Sequence, residues 1–209
     1  MRILLACPGG ESRPDPWGEL GLEGKAKIHD FISAGGGYIG ICLGAVYASD
    51  NSNFWNNQIQ LGADELHLDL FPGVAVSGQE EIAPQGPMPL MTGVNISDDT
   101  HPIADSLPAK MRIVYYPGSP HLQPYDNANV TIIARYEMTE NPAMVALNYG
   151  NGRVFLSGPH PEIEVDSDRD GSDAFQSLSD EGSEWPLLLE AMKWLTATGA
   201  TDHHLPTPP

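Results

Sequence analysis

Apolar runs alternate with glycine-rich stretches along the chain, and they predict strands and helices in turn. Residues 2–7 form a nearly continuous apolar run that stops at Pro-Gly-Gly, which is typical of a buried strand. Residues 23–34 place apolar side chains mostly on one helix face, and three glycines follow, as they often do at helix ends. A short strand at 38–42 then leads into small apolar residues at 43–49. This order predicts a strand, a sharp turn at Cys42 and a helix.

The remaining pattern adds short strands and one final helix. Strand-like runs broken by proline and glycine lie at residues 66–76, 90–96, 111–116, 130–136 and 143–149. A hairpin turn at 148–152 leads into a strand at 153–157, and closely spaced leucines predict a helix over 185–198. We expect a single α/β domain over residues 1–199 and a disordered tail over 200–209.

Charge and cysteine content narrow the classes of partner and compartment. The net charge of the 209 residues is −18, from 10 basic and 28 acidic side chains. Such a surface repels phosphates and anionic lipid, so we expect neither nucleic acid nor membrane as a partner. Two cysteines, Cys7 and Cys42, are too few for a disulfide framework. Because neither a signal peptide nor a run of about 18 apolar residues is present, we expect a cytoplasmic protein.

The turn at Cys42 carries the first chemical signal. Gly40 and Gly44 lie two residues to either side of Cys42, where larger side chains would collide as the chain doubles back. This is the pattern of a nucleophile elbow with cysteine in place of serine. A thiol at the start of a helix also has a larger thiolate fraction. The alternative is a small buried thiol in a glycine-rich turn, and the pentapeptide alone leaves both open.

A base with its own orienting group follows a predicted strand end. In an extended segment, His160 and Glu162 point the same way, so the carboxylate could fix the imidazole tautomer while the other ring nitrogen faces a thiol. The other six histidines lack this arrangement and are read as ordinary core, surface or tail residues.

An acyl-transfer site also needs donors for a developing oxyanion. The Gly9-Gly10 turn after the first strand exposes backbone N–H groups, and the N–H of Leu43 directly follows the nucleophile. The pocket rim is expected from residues 53–125. Candidate substrate-binding residues are Gly9, Tyr116, Ser119 and His121.

Taken in order, the motifs at residues 8–10, 36–44 and 157–162 resemble class I glutamine amidotransferase-like proteins. More closely, they resemble the domain at the N-terminus of eukaryotic biotin–protein ligases, which also occurs as stand-alone bacterial proteins. Residues 150–156 and 71–73 fit the same group. The resemblance implies a flavodoxin-like three-layer sandwich with a mostly parallel central sheet.

The resemblance also implies the roles of individual residues. Cys42 would be the nucleophile, His160 its base and Glu162 the partner of His160, while Gly10 and Leu43 would donate to the oxyanion. The implied reaction is attack on an amide or ester carbonyl, an acyl-thioester, and then hydrolysis or transfer.

Two departures from the family pattern are visible in the sequence. Glutamine amidotransferases usually carry glutamine four residues after the nucleophile, and this chain has Val46, as does the biotin-ligase-like group. The usual first strand-helix-strand unit is also missing, which leaves a sheet edge that a second subunit could cover. The use of glutamine as substrate is therefore an open question at this point, and we expect a homo-oligomer.

The only cofactor signal is an acidic loop. Asp166, Asp168 and Asp170, with a glycine sixth, match the first half of a calcium loop, but the twelfth position is Ser177 rather than glutamate. A solvated acidic loop is the favoured interpretation, with calcium binding as the alternative. No other cofactor is expected.

Three functions remain from the sequence. The first is a cysteine-dependent amide or ester hydrolase, or an amidotransferase. The second is a non-catalytic member of the fold that binds a small molecule or a protein, which Val46 favours. The third is a redox or glyoxalase-type cysteine protein of a related fold. The pairing of His160 with Glu162 favours the first, because a binding module needs no oriented base.

Overall fold

The computed structural model describes residues 4–7, 20–54, 67–84, 89–163 and 183–197. Its strands are β1 (Leu4–Cys7), β2 (Gly37–Ile41), β3 (Ser49–Phe54), β4 (Phe71–Ser77), β5 (Leu90–Ile96), β6 (Lys110–Tyr115), β7 (His121–Pro124), β8 (Thr131–Tyr136), β9 (Pro142–Tyr149) and β10 (Gly152–Ser157). Its helices are α1 (Gly21–Ser33), α2 (Leu43–Ala48) and α3 (Trp185–Thr196). The expected tail over 200–209 lies outside the described residues.

A mixed seven-stranded sheet organises the fold, in the order β1-β2-β10-β9-β8-β5-β6. The α/β class is confirmed, but the expectation of a mostly parallel sheet is wrong for the described strands. Two ladders, β1–β2 and β2–β10, are parallel, whereas the other four are antiparallel. The reason is the short connections, since β9 and β10 are joined by a tight turn while parallel neighbours need a crossover.

Helices cover both faces of this sheet. Ile39 and Ile41 of β2 join a core cluster that contains Leu187 and Leu195 of α3. The alternate residue of β2, Tyr38, joins a second cluster, which includes Ile32 of α1 and five of the six residues of α2. Successive side chains of a strand point to opposite faces, so β2 lies between two apolar layers. The expected three-layer arrangement is therefore present.

A second sheet contains three strands in the order β3-β4-β7. Strands β3 and β7 were not predicted from the sequence. The residues of β3, Ser-Asp-Asn-Ser-Asn-Phe, show no apolar alternation, so only pairing with β4 identifies them as a strand. The other predicted elements agree with the described ones to within a few residues, except that β4 starts at Phe71 rather than at residue 66.

Helix length and polarity bear on membrane insertion. Within the described ranges, no helix is long and apolar enough to cross a bilayer.

Candidate active site

Cys42 occupies a strained turn between β2 and α2. Its backbone φ is 51° with ψ −108°, a conformation that residues other than glycine rarely adopt. The strain is held by hydrogen bonds: the Cys42 N–H donates to the Ser157 carbonyl at 2.8 Å, and the Cys42 carbonyl accepts from Ala45 and Val46 at 3.0 Å. Strain that surrounding structure maintains is common at functional sites. The sharp turn predicted at this position is confirmed.

The flanking glycines are required by close backbone approach. A Cβ atom on Gly40 would lie 2.6 Å from the Gly44 carbonyl oxygen, and a Cβ on Gly44 would lie 2.0 Å from the Cys7 carbonyl oxygen. Both distances are far below van der Waals contact. The Tyr38 hydroxyl adds a 2.8 Å hydrogen bond to the Gly44 carbonyl. These contacts press β1, β2 and the start of α2 together and fix the position of Cys42.

Cys7 is a buried thiol beside this turn. Burial raises the pKa of Cys7 to about 11, against a smaller lowering by the Tyr38 hydroxyl. Both cysteines are free thiols. Cys7 therefore stays protonated near neutral pH and serves as a packing group.

His160 is held from three directions at the end of β10. Its backbone N–H donates to the Val114 carbonyl at 2.8 Å. Its Nδ1 lies 2.8 Å from Oε1 of Glu162, and its ring packs edge-on against Tyr116 at 4.8 Å between centroids. The side chain is buried, with a residue exposure of 5%. The expected pairing of His160 with Glu162 is thus present in the geometry.

The opposite side of the imidazole ring is near Cys42. In the described part of the chain, Nε2 of His160 has no hydrogen-bond partner of ordinary geometry. Burial lowers the pKa of His160, but its interactions with the Cys42 thiol and the Glu162 carboxylate outweigh burial and raise it to about 10. Because Nδ1 is taken by Glu162, the thiol acts on the ring from the Nε2 side. Catalytic hydrogen bonds are often long before substrate binds.

The expected oxyanion donors are only partly described. Leu43 is the first residue of α2, so its N–H has no acceptor within the helix. Gly9 and Gly10 lie outside the described residues. So do the calcium-loop residues Asp166, Asp168 and Asp170. Within the described ranges, no cluster of three or more histidine, cysteine or acidic side chains could hold a metal ion.

The three candidate substrate-binding residues after β6 have different surroundings. Tyr116 contacts His160 directly. The Ser119 hydroxyl accepts a 3.1 Å hydrogen bond from the Tyr116 N–H and is fully buried, so it holds the turn that presents Tyr116. His121 begins β7; burial lowers its pKa, with Glu81 opposing, and among the described residues neither Cys42 nor His160 contributes to that shift.

Sequence reasoning missed two polar residues of this region, Gln79 and Tyr115. Both are buried, and Tyr115 lies close enough to Cys42 for the thiol to affect its titration. Gln79 follows Gly78, whose φ of 84° turns the chain out of β4. Neither residue belongs to a recognisable motif, and only the turn-forming glycine could have drawn attention to this segment.

A known protein family matches most of this chain. The family model described as biotin-protein ligase, N terminal, matches residues 2–185. The chain therefore belongs to this family, and the resemblance read from the motifs is confirmed.

Two relatives are similar to this chain over part of their own length. The biotin–protein ligase of Schizosaccharomyces pombe is 27% identical over 152 residues, which cover 67% of this chain and 22% of the ligase. A protein of Chlamydia muridarum is 30% identical over 166 residues, which cover 76% of this chain and 60% of that protein. The match thus spans less than two thirds of either relative.

Solved structures show the same fold at low identity. A structure of PurLQS from Thermotoga maritima has a TM-score of 0.58 and 17% identity, covering 92% of this chain and 80% of that one. A glutamine amidotransferase from Thermotoga maritima has a TM-score of 0.55 and 12% identity, covering 94% and 77%. The fold is therefore glutamine amidotransferase-like.

Proposed function

We propose that this protein is a cysteine-dependent hydrolase or acyl transferase that acts on amide or ester carbonyls. Cys42 is the nucleophile, His160 its base and Glu162 the group that orients the base. The observation that carries the proposal is the strained elbow at Cys42 beside an imidazole whose Nδ1 is bonded to a carboxylate at 2.8 Å. A nucleophile, a base and an orienter are the parts that covalent acyl transfer requires.

The reaction proceeds in two halves. The thiolate attacks the carbonyl carbon, and the tetrahedral intermediate collapses as the His160 imidazolium gives its Nε2 proton to the leaving nitrogen or oxygen. This leaves an acyl-thioester on Cys42 and a neutral imidazole. Water, or an acceptor amine, then attacks the thioester while His160 takes its proton, and the thiolate leaves. Glu162 holds Nδ1 protonated throughout and stabilises the imidazolium.

Negative charge on the carbonyl oxygen needs donors during both halves. The Leu43 N–H is suited to this because it immediately follows Cys42 and is free of intrahelical bonding. We assign the second donor to the Gly10 N–H on the sequence pattern, with Gly9 shaping the approach to it.

Val46 limits the choice of substrate. It lies four residues after Cys42 and is 1% exposed, packed in the core cluster on the α2 face of the sheet. The position where an amidotransferase would offer a side-chain amide is thus filled by core packing. We propose a carbonyl substrate other than free glutamine. The same observation favours the second candidate, a non-catalytic binding protein.

Turnover of a panel of amides and esters separates these candidates. The wild type should hydrolyse at least one member of the panel, and Cys42→Ala should abolish that activity because the remaining thiol, Cys7, is buried and stays protonated near neutral pH. Cys7→Ala is the matched control, since Cys7 is the other cysteine and is buried with a raised pKa. It should keep the activity. Hydrolysis by Cys42→Ala at the wild-type rate would refute the nucleophile.

A further inference from the structure

The side-chain oxygen of Gln79 is hydrogen-bonded, whereas its side-chain nitrogen makes no hydrogen bond of ordinary geometry among the described residues. Its Oε1 accepts from Thr139 Oγ1 at 3.0 Å and from Asn141 Nδ2 at 3.2 Å, both in the segment that joins β8 to β9. These two contacts fix the amide orientation and turn Nε2 the other way. Nε2 is buried and makes no hydrogen bond of ordinary geometry within the described ranges, and the Gln79 side chain lies beside the hydroxyls of Tyr115 and Tyr136.

The Tyr115 hydroxyl is a second unused donor in the same region. Tyr115 is fully buried, and its hydroxyl has no hydrogen-bond partner of ordinary geometry in the described part of the chain. Its ring packs edge-on against Tyr136 at 5.7 Å. Tyr136 differs in one respect, because its hydroxyl donates to the Pro120 carbonyl at 2.7 Å. Two buried tyrosines therefore lie side by side. The hydroxyl of Tyr136 has a hydrogen-bond partner of ordinary geometry, and the hydroxyl of Tyr115 has none among the described residues.

Tyr115 lies near Cys42, and Gln79 lies beside Tyr115. Burial raises the pKa of Tyr115 to about 12; polar contacts of its hydroxyl with the side chain and backbone of Gln79 lower that pKa by smaller amounts, and the nearby Cys42 and Glu81 raise it. The phenol is thus neutral and protonated near neutral pH. Cys42 also packs against the core cluster that contains Tyr115 and Tyr136. The thiol, the phenol and the carboxamide consequently share one region.

Unused buried donors are uncommon because each one loses its hydrogen bonds to water without replacement. An acceptor oxygen supplied by a ligand would satisfy both. Among described groups, Glu81 acts on Tyr115 and on His121, and the chain carries a net charge of −18. Both features disfavour a carboxylate and favour a neutral carbonyl.

We propose that Gln79 Nε2 and the Tyr115 hydroxyl form a subsite that binds a neutral carbonyl oxygen of the substrate, as in a carboxamide. This inference rests on the proposed function, because the subsite serves a substrate that reacts at Cys42. It makes the enzyme selective for amide-bearing compounds over the corresponding acids.

Alkylation of Cys42 by iodoacetamide and iodoacetate tests the subsite, because the two reagents differ only in amide against carboxylate. Each rate of Cys42 alkylation is divided by the rate at which the same reagent alkylates glutathione, which corrects for the intrinsic reactivity of the reagent. The wild type should prefer iodoacetamide by about 25-fold, as two hydrogen bonds of about fivefold each would give. Tyr115→Phe should lower the iodoacetamide rate about fivefold and leave the iodoacetate rate unchanged. Its melting temperature should stay the same or rise, because the lost hydroxyl had no partner.

Two further variants complete the experiment. Gln79→Glu keeps the Oε1 acceptor for Thr139 and Asn141 but removes the Nε2 donor, and it should lower the iodoacetamide rate. Tyr136→Phe is the matched control: it loses a satisfied hydrogen bond, so its melting temperature should fall while the reagent preference persists.

The outcomes separate the subsite from the proposed function. An unchanged iodoacetamide rate in Tyr115→Phe and Gln79→Glu, with fast wild-type labelling, would overturn the subsite alone. Equal losses of both rates together with lower stability would assign Tyr115 a structural role and also overturn it. Slow labelling by both reagents in the wild type, independent of His160, would contradict the activated thiol and the subsite with it.

Discussion

Replacing His160 with glutamine should slow the alkylation of Cys42 at about pH 6 by about 100-fold, the lower end of the contribution of a positioned acid-base group. In the wild type, the imidazole lies between the Cys42 thiol and the Glu162 carboxylate, and the proposed mechanism requires its positive charge beside the sulfur. Glutamine cannot carry that charge. The measurement is the rate of iodoacetamide incorporation at Cys42, located by peptide mass spectrometry.

Two variants make this result specific. Glu162→Gln keeps a side chain that can hydrogen-bond to Nδ1 but removes the charge, so it should give an intermediate rate. His101→Gln changes another partly buried histidine, one whose ring packs on Trp194 at 5.0 Å, and it should label like the wild type. If His160→Gln and His101→Gln label equally fast at about pH 6, the imidazole does not activate the thiol.

Replacing Gly44 with alanine should cost at least about 3 kcal/mol of folding free energy, the upper range for overpacking. The added Cβ would lie 2.0 Å from the Cys7 carbonyl oxygen and 2.9 Å from the Cys7 carbonyl carbon. Both atoms belong to the backbone of β1, which is paired with β2, so a side-chain rotation cannot relieve the clash. The elbow must shift or β1 must separate, and Cys42 loses its position in either case.

Gly118→Ala is the matched control for this effect. A Cβ at Gly118 meets no atom within 4 Å, and its φ does not lie in the left-handed region. That variant should be neutral or slightly stabilising, because alanine lowers the entropy of the unfolded chain. The denaturant midpoints of the two variants, compared with the wild type, measure the change in folding free energy caused by each substitution. A Gly44→Ala protein within about 0.5 kcal/mol of Gly118→Ala would show that close packing at the elbow does not hold β1 against α2.

The elements that pack against the sheet were predictable because their burial leaves a periodic signal. The glycines around Cys42 predicted the sharp turn, since the steric requirement is local. The spacing of His160 and Glu162 predicted their contact for the same reason. Strand direction was not predictable in this way, because β5, β8 and β9 have similar apolar character whether their neighbours run parallel or antiparallel.

Polar features that depend on distant parts of the chain were not visible in the sequence. Gln79 is oriented by Thr139 and Asn141, about 60 residues away, and nothing local marks this contact. Tyr115 reads as an ordinary apolar strand residue until its hydroxyl is found without a partner. The polar strand β3 likewise depends on β4. Each of these features is set by tertiary structure rather than by local pattern.

The family and the fold do not by themselves assign a reaction, because one fold supports many chemistries. The proposed chemistry depends on which side chains lie together at one end of the sheet. At this end, Cys42 directly follows β2 and His160 lies just after β10. Tyr115 is the last residue of β6, and Tyr116 follows it. The proposed function therefore depends on the contact between the sulfur of Cys42 and the imidazole of His160.

Titration of the His160 imidazole by NMR tests that contact most directly, with His160→Gln used to assign its signal among the seven histidines. In the wild type, the pKa of His160 should be raised towards about 10, and in Cys42→Ala it should fall because the thiol no longer offsets burial. A His160 ring that titrates at the same pH with and without the Cys42 sulfur would contradict the account.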